Sequence, residues 1–340
     1  MKEYISILQH GNALTREQVR GACAWLVDAA SSLDERADFL RALHDKGESP
    51  EEIAFFADAL KGMAVPFPPD KHISSVPRID VCGTGGDGKG FFNVSTSAMF
   101  VAAACGARVV KHGNRGITSK CGSADVLEAL GVPIHQSPEQ GAISLEQAGA
   151  TFLFAQDYFS TFKGVAPVRK MLADEGIRTI FNIVGPLINP AHPEVQLVGV
   201  FSAELLEIYA ESLIHLGRKR AWVVCSLAGE DELSIIAPTQ VIEITNGVSR
   251  RFLLDPQDLG FKPCEESILV GGDATRNAAI IEGILQGEIT GGRRDAVTLN
   301  AAAALVISGV ESDLKQGIQS AEAALQDGRA MKVLERMRSV

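Results

Sequence analysis

The chain has 340 residues, of which 46% are hydrophobic and 22% charged, with a formal net charge of −10. This is ordinary globular composition, long enough for one large domain or two unequal ones. The acidic balance disfavours non-specific nucleic-acid binding, which needs a surface that neutralises phosphates, but it is compatible with a local basic pocket for a small anion.

Cysteine usage and the amino terminus bear on the compartment. Six cysteines are scattered along the chain without a CxxC pair, which favours reduced thiols over a disulfide or zinc framework. The first residues, MKEYISILQHGN, lack the long apolar segment of a signal peptide, and no stretch approaches the length of a membrane span. We therefore expect a cytoplasmic protein with no membrane partner.

The first third of the chain predicts helices. TREQ from Thr15, SLDE from Ser32 and SPEE from Ser49 each match the capping-box pattern, and Pro50 occupies a first helical position. Each opens a segment with apolar residues near helical spacing. We expect a small unit of three short helices, followed by a linker, VPFPPDKHISSVPR, with four prolines.

After the linker, short apolar runs alternate with helical segments. IDVCGTGG, RVVKHGN and ATFLFA predict strands, and STSAMFVAAACGA and SADVLEALG predict helices between them. VQLVGVFS, RAWVVCS and QVIEIT are further strand candidates, and the chain returns to helix from VTLNAAAALVISG onward. The alternation is typical of a mostly parallel central sheet flanked by helices, so the predicted fold class is α/β with a small helical unit in front.

The first strand runs into DVCGTGGDGKGFFNVST, a loop with five glycines. Such a loop before a helix offers free backbone N–H groups and the positive end of the helix dipole, which suits phosphate. Gly83, Gly85 and Gly88 match a dinucleotide fingerprint, but the next strand ends in Lys and His where an acid is needed. The stretch from Gly83 to Lys89 fits a Walker loop, but Gly90 replaces the magnesium-binding hydroxyl.

A second loop of similar design follows the next strand, in KHGNRGITSKCGSADVLEALG. It carries Lys111, His112, Asn114, Arg115 and Lys120 before a helix that begins near Ser123. Loops on successive parallel strands face each other across a crevice at the carboxyl edge of the sheet. A ligand with two separated phosphate groups fits this arrangement better than one with a single phosphate.

The four motifs GTGGDG…FNVST, KHGNRGITSKCGSADVLEALG, VAPVRK and RTIFNIVGPLINPA together resemble the anthranilate phosphoribosyltransferase family. The resemblance runs from the amino-terminal helices to about Thr239. It implies a helical domain at 1–70, completed by helices near 165–180, and an α/β domain at 71–340. It also implies phosphoribosyl pyrophosphate (PRPP) and anthranilate as ligands, Mg²⁺ as cofactor, and a homodimer formed through the helical domain.

The resemblance also implies roles for individual residues. It implies that Lys111, Asp87 and Ser95 stabilise the transition state. It implies that Ser95 and the adjacent acids Asp231 and Glu232 bind the metal. The implied PRPP-binding residues are Gly83, Thr84, Gly86, Asp87, Asn93, Ser95, Thr96, Lys111, Ser119 and Ser123. The implied anthranilate-binding residues are Gly83, His112, Asn114, Phe159, Arg169, Gly185 and Pro186. Arg169 could hold the acceptor carboxylate as a bidentate fork.

Some positions depart from the family pattern. Phe159 and Ser160 stand where the family commonly has His-Pro on the acceptor side, and Cys225 and Ser226 replace a common His-Gly. Two alternatives therefore stay open beside the anthranilate transferase. One is a PRPP-dependent transferase with a different aromatic or amine acceptor, and the other is a non-catalytic relative that binds nucleic acid, against which the net charge counts.

Overall fold

The computed structural model describes residues 1–70, 74–116 and 120–340. It contains a small amino-terminal helical part and a larger part in which helices cover both faces of one sheet, so the predicted fold class is confirmed. None of the helices in those three ranges combines the length and apolar character that a bilayer-crossing segment needs.

Four helices precede the linker: α1 Lys2–Gln9, α2 Arg16–Val27, α3 Leu33–Lys46 and α4 Pro50–Lys61. Thr15 and Ser49 form reciprocal capping boxes, as predicted. At Ser32 the structure shows only the bond from the N–H of Glu35, so the expected box there is half formed. The sequence also missed α1, because no side chain caps its start.

The central sheet has seven strands in the order β3-β2-β1-β4-β5-β6-β7. The strands are β1 Arg78–Gly83, β2 Arg108–Gly113, β3 Ala150–Phe154, β4 Val195–Gly199, β5 Arg220–Ser226, β6 Thr239–Thr245 and β7 Val248–Leu254. The first five run parallel, and β6 and β7 are antiparallel. β1 therefore lies at the switch point between β2 and β4, where open α/β sheets bind ligands.

The remaining helices pack on the two faces of this sheet. They are α5 Val94–Ala104, α6 Ser123–Ala129, α7 Pro138–Ala148, α8 Ala155–Tyr158, α9 Ala166–Asp174, α10 Glu204–His215, α11 Glu266–Leu269, α12 Ala274–Leu285, α13 Gly292–Ser308, α14 Leu314–Gln326 and α15 Arg329–Arg338. Short 3₁₀ turns cover Ser160–Gly164, Ile180–Asn182, Gly185–Leu187 and Pro256–Leu259.

Two hydrophobic cores follow from this layering. On one face, α5 and α12 to α15 cover side chains such as Ile79, Val81 and Leu197. On the other face, the amino-terminal helices, α9 and α10 share a core with Val198 and Val223. Because successive strand residues point to opposite faces, each strand contributes to both cores. The helical part is thus continuous with one face of the sheet.

Candidate active site

The carboxyl ends of β1 and β2 place the two predicted loops side by side. Lys111 and His112 are neighbours in β2, so their side chains leave on opposite faces of the sheet. Lys111 reaches α5, where its Nζ lies 3.1 Å from the hydroxyl of Ser95. His112 lies on the other side, with its ring centroid 5.7 Å from that of Phe159. The end of one strand therefore separates two faces of the candidate site.

Close backbone approach explains the glycines at the strand ends. A Cβ on Gly83 would lie 2.3 Å from Oδ2 of Asp231, and one on Gly199 would lie 1.5 Å from the Asp231 carbonyl oxygen. Thr84 joins the two strand ends by donating its N–H to the Gly199 oxygen at 2.9 Å. Gly86 has a φ of 86°, which favours glycine at that position. The loop therefore accommodates Asp231 only because side chains are absent.

The acidic pair bonds directly to the first loop and the following helix. Oδ2 of Asp231 accepts the N–H of Gly85 at 2.7 Å, and Oε1 of Glu232 accepts the N–H of Ser95 at 3.1 Å. Burial raises the pKa of both carboxyls above the usual range, and the negative charge of Asp87 raises the pKa of Asp231 further. Three carboxylates thus crowd one end of the crevice.

This donor set fits a hard divalent cation that keeps much of its water. No group of three or more His, Cys, Asp or Glu side chains in the described ranges has the arrangement of a self-sufficient metal centre. Mg²⁺ is commonly bound by one or two carboxylates together with substrate phosphates, which is what Asp231 and Glu232 offer. A cation here would also neutralise charges whose burial raises their pKa.

Lys111 is buried, which the sequence left undecided. Only 3% of the residue is exposed, and its Nζ donates to the Val81 carbonyl at 2.5 Å as well as to Ser95. The ammonium group is therefore held at the end of β1 beside the first turn of α5. Thr96, in the same turn, is 1% exposed, and the hydroxyl of Thr84 is a buried polar group with no partner in the described ranges.

Asn93 has a role that the sequence did not predict. Its side-chain nitrogen donates to the carbonyl of Cys121 at 3.2 Å, and its oxygen accepts from Asn277 at 3.0 Å. Both ends of the amide are therefore bonded to protein. Asn93 ties the first loop to the second loop and to α12.

The second loop is braced from within. Asp125 accepts the N–H groups of Gly116 and Gly122, each at 2.8 Å, and Arg115 pairs with Asp125 and Glu128 at 3.0 and 2.8 Å. These contacts bond the N–H groups of Gly116 and Gly122 within the loop itself.

Two serines were predicted as phosphate ligands of this second loop. The hydroxyl of Ser123 lies 3.4 Å from the carbonyl of Asn114, to which it donates. Ser119 lies outside the described residues. The position of Ser123 at the start of α6 agrees with the sequence, and its hydroxyl stays at the rim of the crevice beside Asn114.

The opposite face of the site is aromatic. Phe159 is 3% exposed and stacks on Phe162 with ring centroids 4.8 Å apart. Phe162 in turn meets Phe181 edge-on at 6.1 Å, and the guanidinium of Arg169 lies 5.8 Å from the centroid of Phe181. No acidic partner of Arg169 occurs in the parts of the chain that the structure covers, and burial lowers its pKa. Arg169 is therefore a half-buried cation with its charge available.

His112 borders this aromatic group as a neutral imidazole. Burial lowers its pKa to about 4, and a hydrogen bond to the backbone of Gly185 opposes the shift only in part. Its Nε2 is buried without a hydrogen-bond partner in the described residues. Gly185 and Pro186 form the 3₁₀ turn next to it. Asn114, at the start of the second loop directly after β2, receives a hydrogen bond from Gln156 on its side-chain oxygen at 3.2 Å.

Three further residues support the site and were not singled out from the sequence. Asp80 is completely buried; its carboxylate accepts from Asn189 Nδ2 at 2.9 Å and from the His112 N–H at 3.4 Å. Gly199 lies behind the acidic pair. Asn189 belongs to the LINPA stretch already noted, but its partner is 109 residues away, so no local pattern indicated the contact.

Family models match both parts of the chain. Residues 2–64 match a model described as the glycosyl transferase family, helical bundle domain, and residues 75–331 match the glycosyl transferase family, a/b domain. Fold and site thus define a glycosyl transferase with a helical bundle and an α/β domain.

Individual relatives narrow the assignment. The chain is 44% identical to the anthranilate phosphoribosyltransferase of Roseiflexus castenholzii, over 100% of this chain and 98% of that protein. The crystal structure of the Thermus thermophilus enzyme has a TM-score of 0.90 and 39% identity, covering 99% and 98% of the two chains. The Saccharomyces cerevisiae enzyme in complex with PRPP and Mg has a TM-score of 0.89 and 26% identity, covering 99% and 96%. The chain belongs to the anthranilate phosphoribosyltransferase family.

Proposed function

We propose that this protein transfers the 5-phosphoribosyl group of PRPP to the amine of anthranilate, giving N-(5-phosphoribosyl)anthranilate and pyrophosphate in tryptophan biosynthesis. The observation that carries the proposal is the separation at the end of β2. Lys111 faces the glycine loop, Ser95 and three carboxylates, whereas His112 faces an aromatic group beside Arg169, which has no acidic partner among the described residues. One face suits a phosphate donor and the other an aromatic acid.

On the donor face, backbone and hydroxyl groups would bind PRPP. Gly83, Thr84, Gly86 and Asp87 line the first loop, Asn93, Ser95 and Thr96 lie at the start of α5, and Lys111, Ser119 and Ser123 complete the assigned set. The proposal is supported by the buried cation of Lys111 and by the unpartnered hydroxyl of Thr84. Because Asn93 is bonded to protein at both ends, we assign it to holding the two loops together.

Mg²⁺ is part of the proposal, since the yeast relative was solved with PRPP and Mg. Asp231, Glu232 and Ser95 would hold it, and when bound it would supply charge neutralisation for the leaving pyrophosphate. The raised carboxyl pKa values of Asp231 and Glu232 support this assignment, because burial and neighbouring carboxylates disfavour their charged forms and a bound cation would favour those forms.

On the acceptor face, Arg169 would bind the carboxylate of anthranilate. Its guanidinium pairs with no acid in the described ranges and is partly withdrawn from water, so a bidentate pair with a carboxylate would be strong. Gly83, Asn114, Gly185 and Pro186 would complete the pocket. The yeast relative has also been solved with 4-fluoroanthranilate, at 26% identity and a TM-score of 0.85.

The chemistry follows from positioning. The nitrogen of anthranilate forms a bond to C1 of the ribose while the bond from C1 to the pyrophosphate oxygen breaks, and the pyrophosphate leaves with the electron pair. The nitrogen, positively charged after the bond forms, then loses one proton to the solvent, which leaves a neutral secondary amine in the product. Lys111 and the loop N–H groups stabilise the negative charge that grows on the leaving group. The carboxylate of Asp87 stabilises the positive charge that develops on the sugar. His112 stays neutral near pH 7, so its free Nε2 can accept a hydrogen bond from the amine.

Location and assembly complete the proposal. The composition supports a cytoplasmic enzyme, and the family resemblance supports a homodimer through the helical domain. The helix α1 leaves Tyr4, Ile5 and Ile7 partly exposed, and a groove of about 690 Å³ between α1 and α3 is lined by apolar residues together with the charged residues of α3, which suits a contact of mixed character. Light scattering on the purified protein tests this, and a monomer at micromolar concentration contradicts it.

The central experiment measures pyrophosphate release from PRPP with Mg²⁺ and a panel of aromatic amines. We expect anthranilate to support turnover and Arg169→Ala to nearly abolish it. As a control, Lys170→Ala removes the neighbouring exposed cation, which pairs with Asp174 at 2.9 Å, and should leave turnover unchanged. A wild-type protein that binds PRPP but does not use anthranilate contradicts the proposal.

A transferase with a different acceptor is the second candidate. It rests on Phe159, which is buried against Phe162 and His112 where the family commonly has a histidine. The same panel decides between the two, because a less polar amine would then be used faster than anthranilate.

A further inference from the structure

A buried chain of hydrogen bonds connects the proposed acceptor wall, the turn that contains Gly185 and Pro186, to Arg218 on the same face of β4. Gln196 lies in β4 and is 0% exposed. Its Nε2 donates to the carbonyl of Pro186 at 2.6 Å and lies 3.3 Å from the sulfur of Cys82. Its Oε1 accepts from Nε of Arg218 at 3.1 Å. One side chain thus links the wall to a buried charged residue on the same face of the sheet.

The two ends of this amide are not interchangeable. An arginine can only donate, so the oxygen of Gln196 must face Arg218 and the nitrogen must face the Pro186 carbonyl. If the amide turned over, two oxygens would meet at Pro186 and two donors at Arg218. Arg218 therefore fixes the orientation of the amide that holds Pro186.

Arg218 is a costly residue to place here. It is 6% exposed and burial lowers its pKa, a shift that the charges of Asp80 and Asp58 oppose only in part, and no direct salt bridge to it occurs in the described ranges. A buried charge without a direct ion pair destabilises a fold unless its hydrogen bonds and more distant opposite charges compensate. Its retention behind Gln196 is explained if the orientation of that amide matters for function.

The segment that includes Pro186 is held at other backbone groups as well. His112 bonds to the backbone of Gly185, and the hydroxyl of Tyr209 donates to the carbonyl of Ile183. With Gln196 on Pro186, three side chains from β2, α10 and β4 hold the turn. We propose that Gln196 and Arg218 are positioning residues that fix the acceptor wall and thereby set the affinity for the acceptor but not for PRPP. This inference rests on the function proposed above for Gly185 and Pro186.

The test uses substitutions of nearly unchanged size. Gln196→Glu keeps an acceptor for Arg218 but offers no N–H to Pro186. One lost hydrogen bond in a buried site corresponds to a rise of about tenfold in KM for anthranilate. We expect that rise, with KM for PRPP within twofold of wild type and full turnover at saturating anthranilate. Gln286→Glu, at an exposed position, is the matched control.

Arg218 supplies a second pair of variants in case Gln196→Glu does not fold. Arg218→Met removes the group that orients the amide and should raise KM for anthranilate, whereas Arg218→Lys retains a donor and should restore it in part. Unchanged anthranilate KM in folded Gln196→Glu or Arg218→Met overturns the inference, as does a parallel change of both KM values together with Tm. If the wild-type protein does not turn over anthranilate, that result contradicts the proposed function, and the inference that rests on it is then also wrong.

Discussion

At the scale of single residues, Phe159 has the most direct bearing on acceptor affinity. It packs between Phe162 and His112 and cannot hydrogen-bond an acceptor. One hydrogen bond to a charged group corresponds to about ten- to a hundredfold in affinity. We therefore expect a high KM for anthranilate in the wild type and a lower one in Phe159→His, measured by steady-state kinetics at saturating PRPP. If Phe159→His raises KM instead, the ring itself makes the productive contact.

Lys111 belongs to the donor face, and its removal should affect one substrate only. It is buried beside Ser95 and the end of β1, so its charge cannot be replaced by solvent. Lys111→Met should weaken PRPP binding by at least about tenfold, as measured by isothermal titration, while anthranilate binding changes little. Lys170→Met removes an exposed lysine and serves as the control. Equal loss of both ligands would argue for a general collapse of the site.

The acidic pair gives a prediction with opposite signs for activity and stability. Asp231→Asn with Glu232→Gln removes two carboxylates whose burial raises their pKa, so the metal-free protein should unfold at the same temperature or higher. Turnover with Mg²⁺ and PRPP should be lost. Calorimetry and pyrophosphate release measure the two effects, and wild-type turnover with unchanged magnesium dependence would contradict the assignment.

At the scale of elements, the parallel strands determine where the site forms, and Gly199 shows how closely the end of β4 packs against the loop that carries the acidic pair. A Cβ there would meet the Asp231 carbonyl at 1.5 Å, so Gly199→Ala must displace the loop that carries the acidic pair. We expect at least about a hundredfold loss of turnover, since displacement of catalytic groups by about 1 Å has such effects. Gly62→Ala, where the nearest atom would be 3.4 Å away, should have little effect. A crystal structure of Gly199→Ala with the loop unmoved would refute the argument.

How much of these elements could be predicted depended on whether their signals are local. RAWVVCS coincides with β5, because a short apolar run bounded by charge is a local signal. In contrast, β7 is an exposed edge strand whose pairing with β6 carries no apolar alternation, and the sequence missed it. The hydrogen bonds from Asp125 that hold the second loop were missed for a similar reason. An acidic residue in the first turn of a helix is common, and the spacing of residues in the sequence does not indicate its partners.

At the scale of the whole molecule, Asp70 joins the linker to two strands. Its Oδ1 lies 2.6 Å from Nη2 of Arg78 at the start of β1 and 2.6 Å from Nη2 of Arg108 at the start of β2. The hydrogen bond from Arg108, with Arg78 adding to it, lowers the pKa of Asp70 to about 2. This carboxylate therefore stabilises the fold above the ordinary pKa of an aspartate, and the contribution is lost as the pH falls toward 2.

We expect Asp70→Asn to reduce the free energy of unfolding by about 1–2 kcal/mol at pH 7, after allowance for partial exposure. The difference from wild type should shrink as the pH falls from about 5 toward 3. Urea titrations at several pH values measure this, with Asp258→Asn at an exposed position as control. A difference that stays constant down to pH 3 would show that the effect is steric.

Contacts between distant segments were the part of the molecule that the sequence could not supply. The resemblance pointed to the glycine loops, the acidic pair and Arg169. The supports behind them, such as Asp80 with Asn189 and Gln196 with Arg218, arise where strands and turns from different parts of the chain meet. Their residue types are unremarkable in isolation, and only the fold reveals that they are bonded to each other.

The alternation of Lys111 and His112 along β2 has a consequence for how such an enzyme can diverge. Because one strand end sends donor and acceptor contacts to opposite sides of the sheet, mutations in the aromatic side need not disturb the phosphate side. A library that varies only Phe159, Phe162 and Phe181 would explore new nucleophiles while inheriting an intact machinery for activating the sugar. The position of Phe159, which packs against Phe162 on the aromatic side only, is therefore the natural first choice for such a library.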